Sequence, residues 1–124
     1  MSYALFIQHK TLPGKRPDVQ AVWRKHMMQA VATNDGHKAY FYCFGTEPDA
    51  ICAFQHYRNQ YAATAFLKTP AYAAYLEEVT PLLSGEPVVT VLDVQWSNLD
   101  CYSDAAFYFE QVEVRDAREK FAAL

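Results

Sequence analysis

The features missing from this 124-residue chain each remove a class of function. The formal net charge is −3, so no basic patch invites a phosphate backbone, and nucleic acid is not expected as a partner. No apolar run is long enough to span a bilayer. The N-terminal stretch MSYALFIQHK has no basic segment followed by an apolar one, the signature of a secretory signal. There is no glycine-rich phosphate loop, and no two-histidine, one-carboxylate set at a recognisable spacing. Cysteine is scarce: Cys43, Cys52 and Cys101 are odd in number and lack metal-ligand spacing. These absences lead to the expectation of a reduced, cytoplasmic protein with no metal, no cofactor and no membrane partner.

Aromatic side chains are abundant. They make up 15% of the chain, with nine Tyr and eight Phe, within an apolar share of 52% and a charged share of 20%. That balance describes a globular chain, long enough for one domain with a real core. The aromatic excess points to a large core, a cavity or an oligomer interface.

Hydrophobic periodicity gives the order of elements. Tyr3 to Lys10 reads as a strand, and Leu12-Pro13-Gly14-Lys15 as a turn. Pro17 suits the first turn of a helix running to about Thr33, with Val19, Val22, Trp23, Met27, Ala30 and Val31 on one stripe. Asn34-Asp35-Gly36 stops it, and His37 falls in this turn, where it is expected to be solvated. Lys38 to Gly45 and Ala50 to Arg58 read as a strand pair joined at Thr46-Glu47-Pro48-Asp49. Asn59 is a good N-cap for a short helix from Gln60 to Lys68. Thr69-Pro70 breaks it, because the residue before proline is excluded from the α region. A second helix then runs from Ala71 to Leu83, with Tyr72, Tyr75, Leu76 and Val79 expected to be buried. Val88 to Trp96 (VVTVLDVQW) is the clearest strand.

The order β-α-β-β-α-β is the ferredoxin-like α+β pattern, with an antiparallel sheet covered by helices on one face. The other face keeps apolar side chains, and a homodimer packed sheet on sheet would cover it. Residues 1–97 are read as this domain. Residues 98–124 are read as a C-terminal extension, with a strand over 106–115 and a short helix over 116–124. The extension either braces a dimer or begins a second copy, since FYFEQVEVRDAREKFAAL echoes the order of LFIQHKTLPGKRPDVQAVW.

Three stretches carry a resemblance. Gln55-x-Tyr57-x-Asn59, the run Ala65-Phe66-Leu67-Lys68-Thr69-Pro70-Ala71-Tyr72 and the turn Leu12-Pro13-Gly14-Lys15 resemble the antibiotic biosynthesis monooxygenase-like domains, with Asp35-Gly36 before the second strand also fitting. The resemblance covers about residues 3 to 96. It implies a dimeric α+β barrel and an oxidoreductase that works without metal or flavin on a small phenolic or quinol substrate. This sequence departs from the family at three positions. The helix histidine falls on Phe66, the histidine after Thr-Pro on Ala71, and the strand glutamate on Gln55, so no catalytic role carries over to these positions. A non-catalytic binding or structural member of the same fold is the alternative.

Such chemistry needs a dry aromatic pocket, a base and a polar group that holds an anion. His26, within the apolar stripe of the first helix, is the first candidate base, against a core or interface histidine held by a carbonyl. His9 and His56, near the ends of strands one and three, are further candidates, against rim positions. Trp23, Tyr40, Tyr42, Tyr57, Phe66, Tyr72 and Tyr75 are candidate pocket-lining residues for a planar aromatic ligand, against ordinary core and interface packing.

Overall fold

The computed structural model describes residues 2–99. The elements are β1 (Ser2–Lys10), α1 (Arg16–His26), α2 (Met28–Ala32), β2 (His37–Phe44), β3 (Ala50–Tyr57), α3 (Gln60–Phe66), α4 (Pro70–Val79), a 3-10 turn (Thr80–Leu82) and β4 (Val88–Val94). The strands form one antiparallel sheet in the order β2-β3-β1-β4. This is the ferredoxin-like α+β architecture that the sequence implies. Among the described residues the last strand, β4, stops at Val94, short of the expected Trp96, and the compact unit holding all these elements ends there too. The strand and helix expected over 106–124 lie outside the described residues. Among the described residues no helix is long and apolar enough to cross a membrane.

Local chemistry accounts for the helix boundaries. Asn59 Oδ1 accepts a hydrogen bond from the Ala62 amide at 2.8 Å, which caps α3. Thr69 is extended (ψ 153°) and its Oγ1 accepts from the Tyr72 amide, so α4 starts afresh at Pro70. The first helix differs from its expected form. It is interrupted at Met27, where φ is −103°. The Met27 amide still donates to the Trp23 carbonyl at 2.7 Å, and the Val31 amide to the Met27 carbonyl at 2.8 Å, so hydrogen bonds still run through the break.

The two-residue period of the strands sorts their side chains. Leu5, Ile7 and His9 of β1 share the helix-facing side with their register partners Gln55, Ala53 and Ile51 of β3. Leu5, Ile7, Ile51 and Tyr57 pack there with Val19, Phe66, Tyr75 and Val79 from the helices. Leu76, expected to be buried, is exposed, because the buried stripe of α4 runs through Tyr75 and Val79. His37 is a second correction. It opens β2 instead of sitting in a solvated turn, and its ring packs against Tyr57 at 4.4 Å and edge-on against Phe66 at 4.6 Å.

Candidate active site

A cavity of about 420 Å³ lies between the helix-facing side of the sheet and the helices α1 and α4. Alternation along the strands builds its floor. Ile7 and His9 come from β1, Ala53 and Gln55 from β3, and Tyr40 and Tyr42 from β2. Trp23 of α1 and Tyr72 and Tyr75 of α4 form the aromatic wall, and Glu86, Pro87 and Val89 lie at the rim. The Trp23 ring lies 4.4 Å from that of Tyr42, and its Nε1 donates to Tyr40 Oη at 3.1 Å. Beside them, Tyr57 donates its hydroxyl proton to Gln55 Oε1 at 2.6 Å.

Burial controls the electrostatics. It pushes the Tyr40 phenol up to about 12, against the opposing effect of hydrogen bonds with Trp23 and Gln55. Burial also raises the phenols of Tyr42, Tyr72 and Tyr75. All four therefore stay protonated at neutral pH and act as hydrogen-bond donors. Burial lowers the pKa of His9, which keeps its imidazole neutral there. His9 Nδ1 and Tyr42 Oη are buried and have no hydrogen-bond partner among the described residues. Both residues line the cavity, and buried polar atoms left without a partner are costly.

Five of the seven residues named as pocket lining do line this cavity: Trp23, Tyr40, Tyr42, Tyr72 and Tyr75. Tyr57 and Phe66 are buried in the core beside it, with ring centroids 6.4 Å apart. The three candidate bases separate. His9 lines the cavity. His26 turns to the seam between α1 and α4, where its Nε2 lies 2.9 Å from Glu78 Oε1, a close contact out of line for a hydrogen bond. Lys25 Nζ holds the same carboxylate oxygen at 2.8 Å. These two contacts, Lys25 first, keep the Glu78 carboxyl below its ordinary range. His56 pairs with Ala4 on the opposite side of the sheet, and its Nε2 is 2.6 Å from Ser2 Oγ. Strand parity therefore removes His56 from the cavity, and helix rotation removes His26. Gln55 was noted only as a replacement for glutamate, yet it lies in the cavity floor; its two-residue spacing from Ala53 and Tyr57 was the available signal. Among the described residues no group of three or more His, Cys, Asp or Glu converges.

Comparison with solved structures gives the fold its relatives. Rv0793 from Mycobacterium tuberculosis superposes with a TM-score of 0.72 at 22% identity, over 79% of this chain and 99% of its own. A Caulobacter crescentus protein provisionally named an antibiotic biosynthesis monooxygenase gives 0.72 at 20% identity, over 77% and 91%. Another with that provisional name, from Chloroflexus aurantiacus, gives 0.63 at 20% identity, over 78% and 98%. The fold is that of the antibiotic biosynthesis monooxygenase-like proteins. At these identities the likeness reaches the backbone architecture and not the reaction. No family model matches the sequence, and no curated protein matches it. The antibiotic biosynthesis monooxygenase-like fold thus stands on three-dimensional similarity.

Proposed function

We propose that this protein is a cofactor-independent monooxygenase-like enzyme, and that its cavity takes a small phenolic or quinol substrate. The observation that carries this reading is the pair of unpartnered buried atoms, His9 Nδ1 and Tyr42 Oη, on two residues that line an apolar cavity with an aromatic wall. In this reading a planar ring lies in the cavity against the aromatic wall of Trp23, Tyr72 and Tyr75, with its hydroxyl toward His9. Nδ1 takes the hydroxyl proton, and the protonated tyrosines donate to the resulting oxyanion. The electron-rich anion then reacts with dioxygen. One oxygen atom enters the ring and the other leaves as water, and the hydroquinone supplies all the electrons as it becomes a hydroxyquinone. The names of the structural relatives support the reaction class. A homodimer that covers the exposed apolar side chains of β4 belongs to the same reading.

A second reading, a small-molecule binding protein without turnover, is favoured by one observation. Phe66, at the position where the resemblance puts a histidine, is buried against His37 and offers no proton acceptor. Oxygen consumption with a panel of hydroquinones decides between the two. The enzyme reading expects uptake that falls by about 10²–10⁴-fold in His9→Gln, with an unchanged circular dichroism spectrum. Binding of the same compounds without oxygen uptake selects the second reading. Failure to bind any of them overturns both.

A further inference from the structure

Two of the cysteines face each other. Cys43 of β2 and Cys52 of β3 are direct register partners on the side of the sheet away from the cavity, and both are free thiols. The Gly45 amide donates to the Ala50 carbonyl at 2.9 Å, which closes the hairpin with a hydrogen-bonded pair. Two residues back, the alternation makes Cys43 and Cys52 a hydrogen-bonded pair as well, with Cα atoms about 5.5 Å apart. That separation lies inside the roughly 4.4–6.8 Å that a disulfide spans. The β-carbons of such a pair stand up to about 5.5 Å apart. A disulfide needs roughly 3.5–4.5 Å between them. Closing the bond therefore draws the two strands together locally, and a bond formed under strain is readily reduced. Cys43 is exposed and Cys52 half-buried, so the outer thiol is the one an oxidant reaches first.

We infer that Cys43 and Cys52 form a reversible thiol–disulfide pair, closed by a small disulfide of the glutathione class and coupled to the cavity on the other side of the sheet. The Cys43 thiolate attacks one sulfur of the oxidant, forming a mixed disulfide and releasing one thiol. The Cys52 thiolate then attacks the Cys43 sulfur, forming the intrachain bond and releasing the second thiol. The protein loses two hydrogens, and the oxidant is reduced to two thiols. The coupling follows from sequence neighbours. Tyr42 precedes Cys43 and Ala53 follows Cys52, and both point into the cavity, where Tyr42 stacks on Trp23. The pair lies toward the β2 edge, at the opposite side of the sheet from β4.

The sequence makes the test direct. No Lys or Arg lies between Ala39 and Arg58, so trypsin releases both cysteines in one peptide, with Cys101 in another. After equilibration with oxidised glutathione, the peptide of residues 39–58 is expected to be lighter by two hydrogens and refractory to alkylation. Dithiothreitol should restore it, and Cys43→Ser should abolish the closed form. A peptide with two alkylatable thiols, one carrying glutathione, or one joined to the Cys101 peptide overturns the pair. For the coupling, Trp23 fluorescence is read in a Trp96→Phe background. Oxidation should shift it, and adding Cys52→Ser should remove the shift. A spectrum unchanged by oxidation overturns the coupling.

Discussion

β3 and β4 both pair with β1, on its two sides, yet they live in different surroundings. On the helix-facing side, Ile51, Ala53, Gln55 and Tyr57 of β3 are all buried. Val89 and Val91 of β4, on the same side, are 52% and 59% exposed, although their register partners Ile7 and Leu5 are only 8% and 5% exposed. Val88 and Leu92, facing the other way, are exposed too. One strand is apolar because the helices cover it. The other is just as apolar with no cover among the described residues. Burying such a row of valines is favourable, and exposed apolar patches of this kind are common at interaction sites.

The largest expected effect tests the buried member of the comparison. Ile51→Ala should destabilise the fold by about 2–5 kcal/mol, the range for truncating a fully buried large aliphatic side chain. Val91→Ala, the same kind of truncation on β4, should cost no more than about 0.5 kcal/mol in the dilute monomer, as for an ordinary surface change. Urea melts of the two variants at one low protein concentration check this. Equal losses would mean that β4 is as well covered as β3.

Assembly sharpens the same contrast. The homodimer proposed for this fold should bury more than about 1,000 Å², the lower bound for a specific contact. Paired charges in the double variant Val88→Asp, Leu92→Asp should dissociate it, seen as a shift from dimer to monomer in sedimentation at micromolar concentration. Val91→Asp, on the helix-facing side, shows which face of β4 the partner uses. A wild-type protein that sediments only as a monomer would refute the dimer.

The contrast also explains what was legible in the sequence. Strands and helix breaks are local properties. The β-branched run is a strand over Val88–Val94, two residues short of the Trp96 end that the pattern suggests, and Thr69-Pro70 divides two helices by sterics alone. Element order therefore followed, and with it the fold. The site depended on side-chain direction, which needs the register. Strand alternation brought His9, Tyr40 and Tyr42 to one cavity and sent His56 to the opposite side. Helical periodicity placed His26 within an apolar stripe but did not fix its rotation, and the ring faces Glu78. His37 was the hardest to read, because only the three-dimensional fold brings Phe66 against a residue that follows an Asn-Asp-Gly turn.

The smallest effect belongs to His37, and it separates the buried side from the open one by pH. Asn34 Nδ2 donates to His37 Nδ1 at 2.8 Å, which leaves the ring proton on Nε2, and that atom is buried with no partner among the described residues. Burial among Tyr57, Phe66 and Tyr40 lowers the pKa from 6.5 to about 4. Because the folded value lies below the unfolded one, the unfolded chain binds the extra proton first as pH falls. The contribution of His37 to stability is therefore complete above pH 6.5, declines as pH drops through the window to about 4, and changes no further below it. His9 slopes in the same direction, since burial lowers its pKa as well. His37→Phe keeps the ring packing and removes the titration, so its stability should fall less steeply from pH 6.5 to 5 than that of the wild type. That interval stays mostly above the ordinary carboxylate range, which limits the contribution of Asp and Glu to the difference. Urea melts across it provide the measurement. Parallel profiles for the two proteins would show that the His37 ring is open to water in the folded state, and that the buried half of the sheet ends at Tyr57.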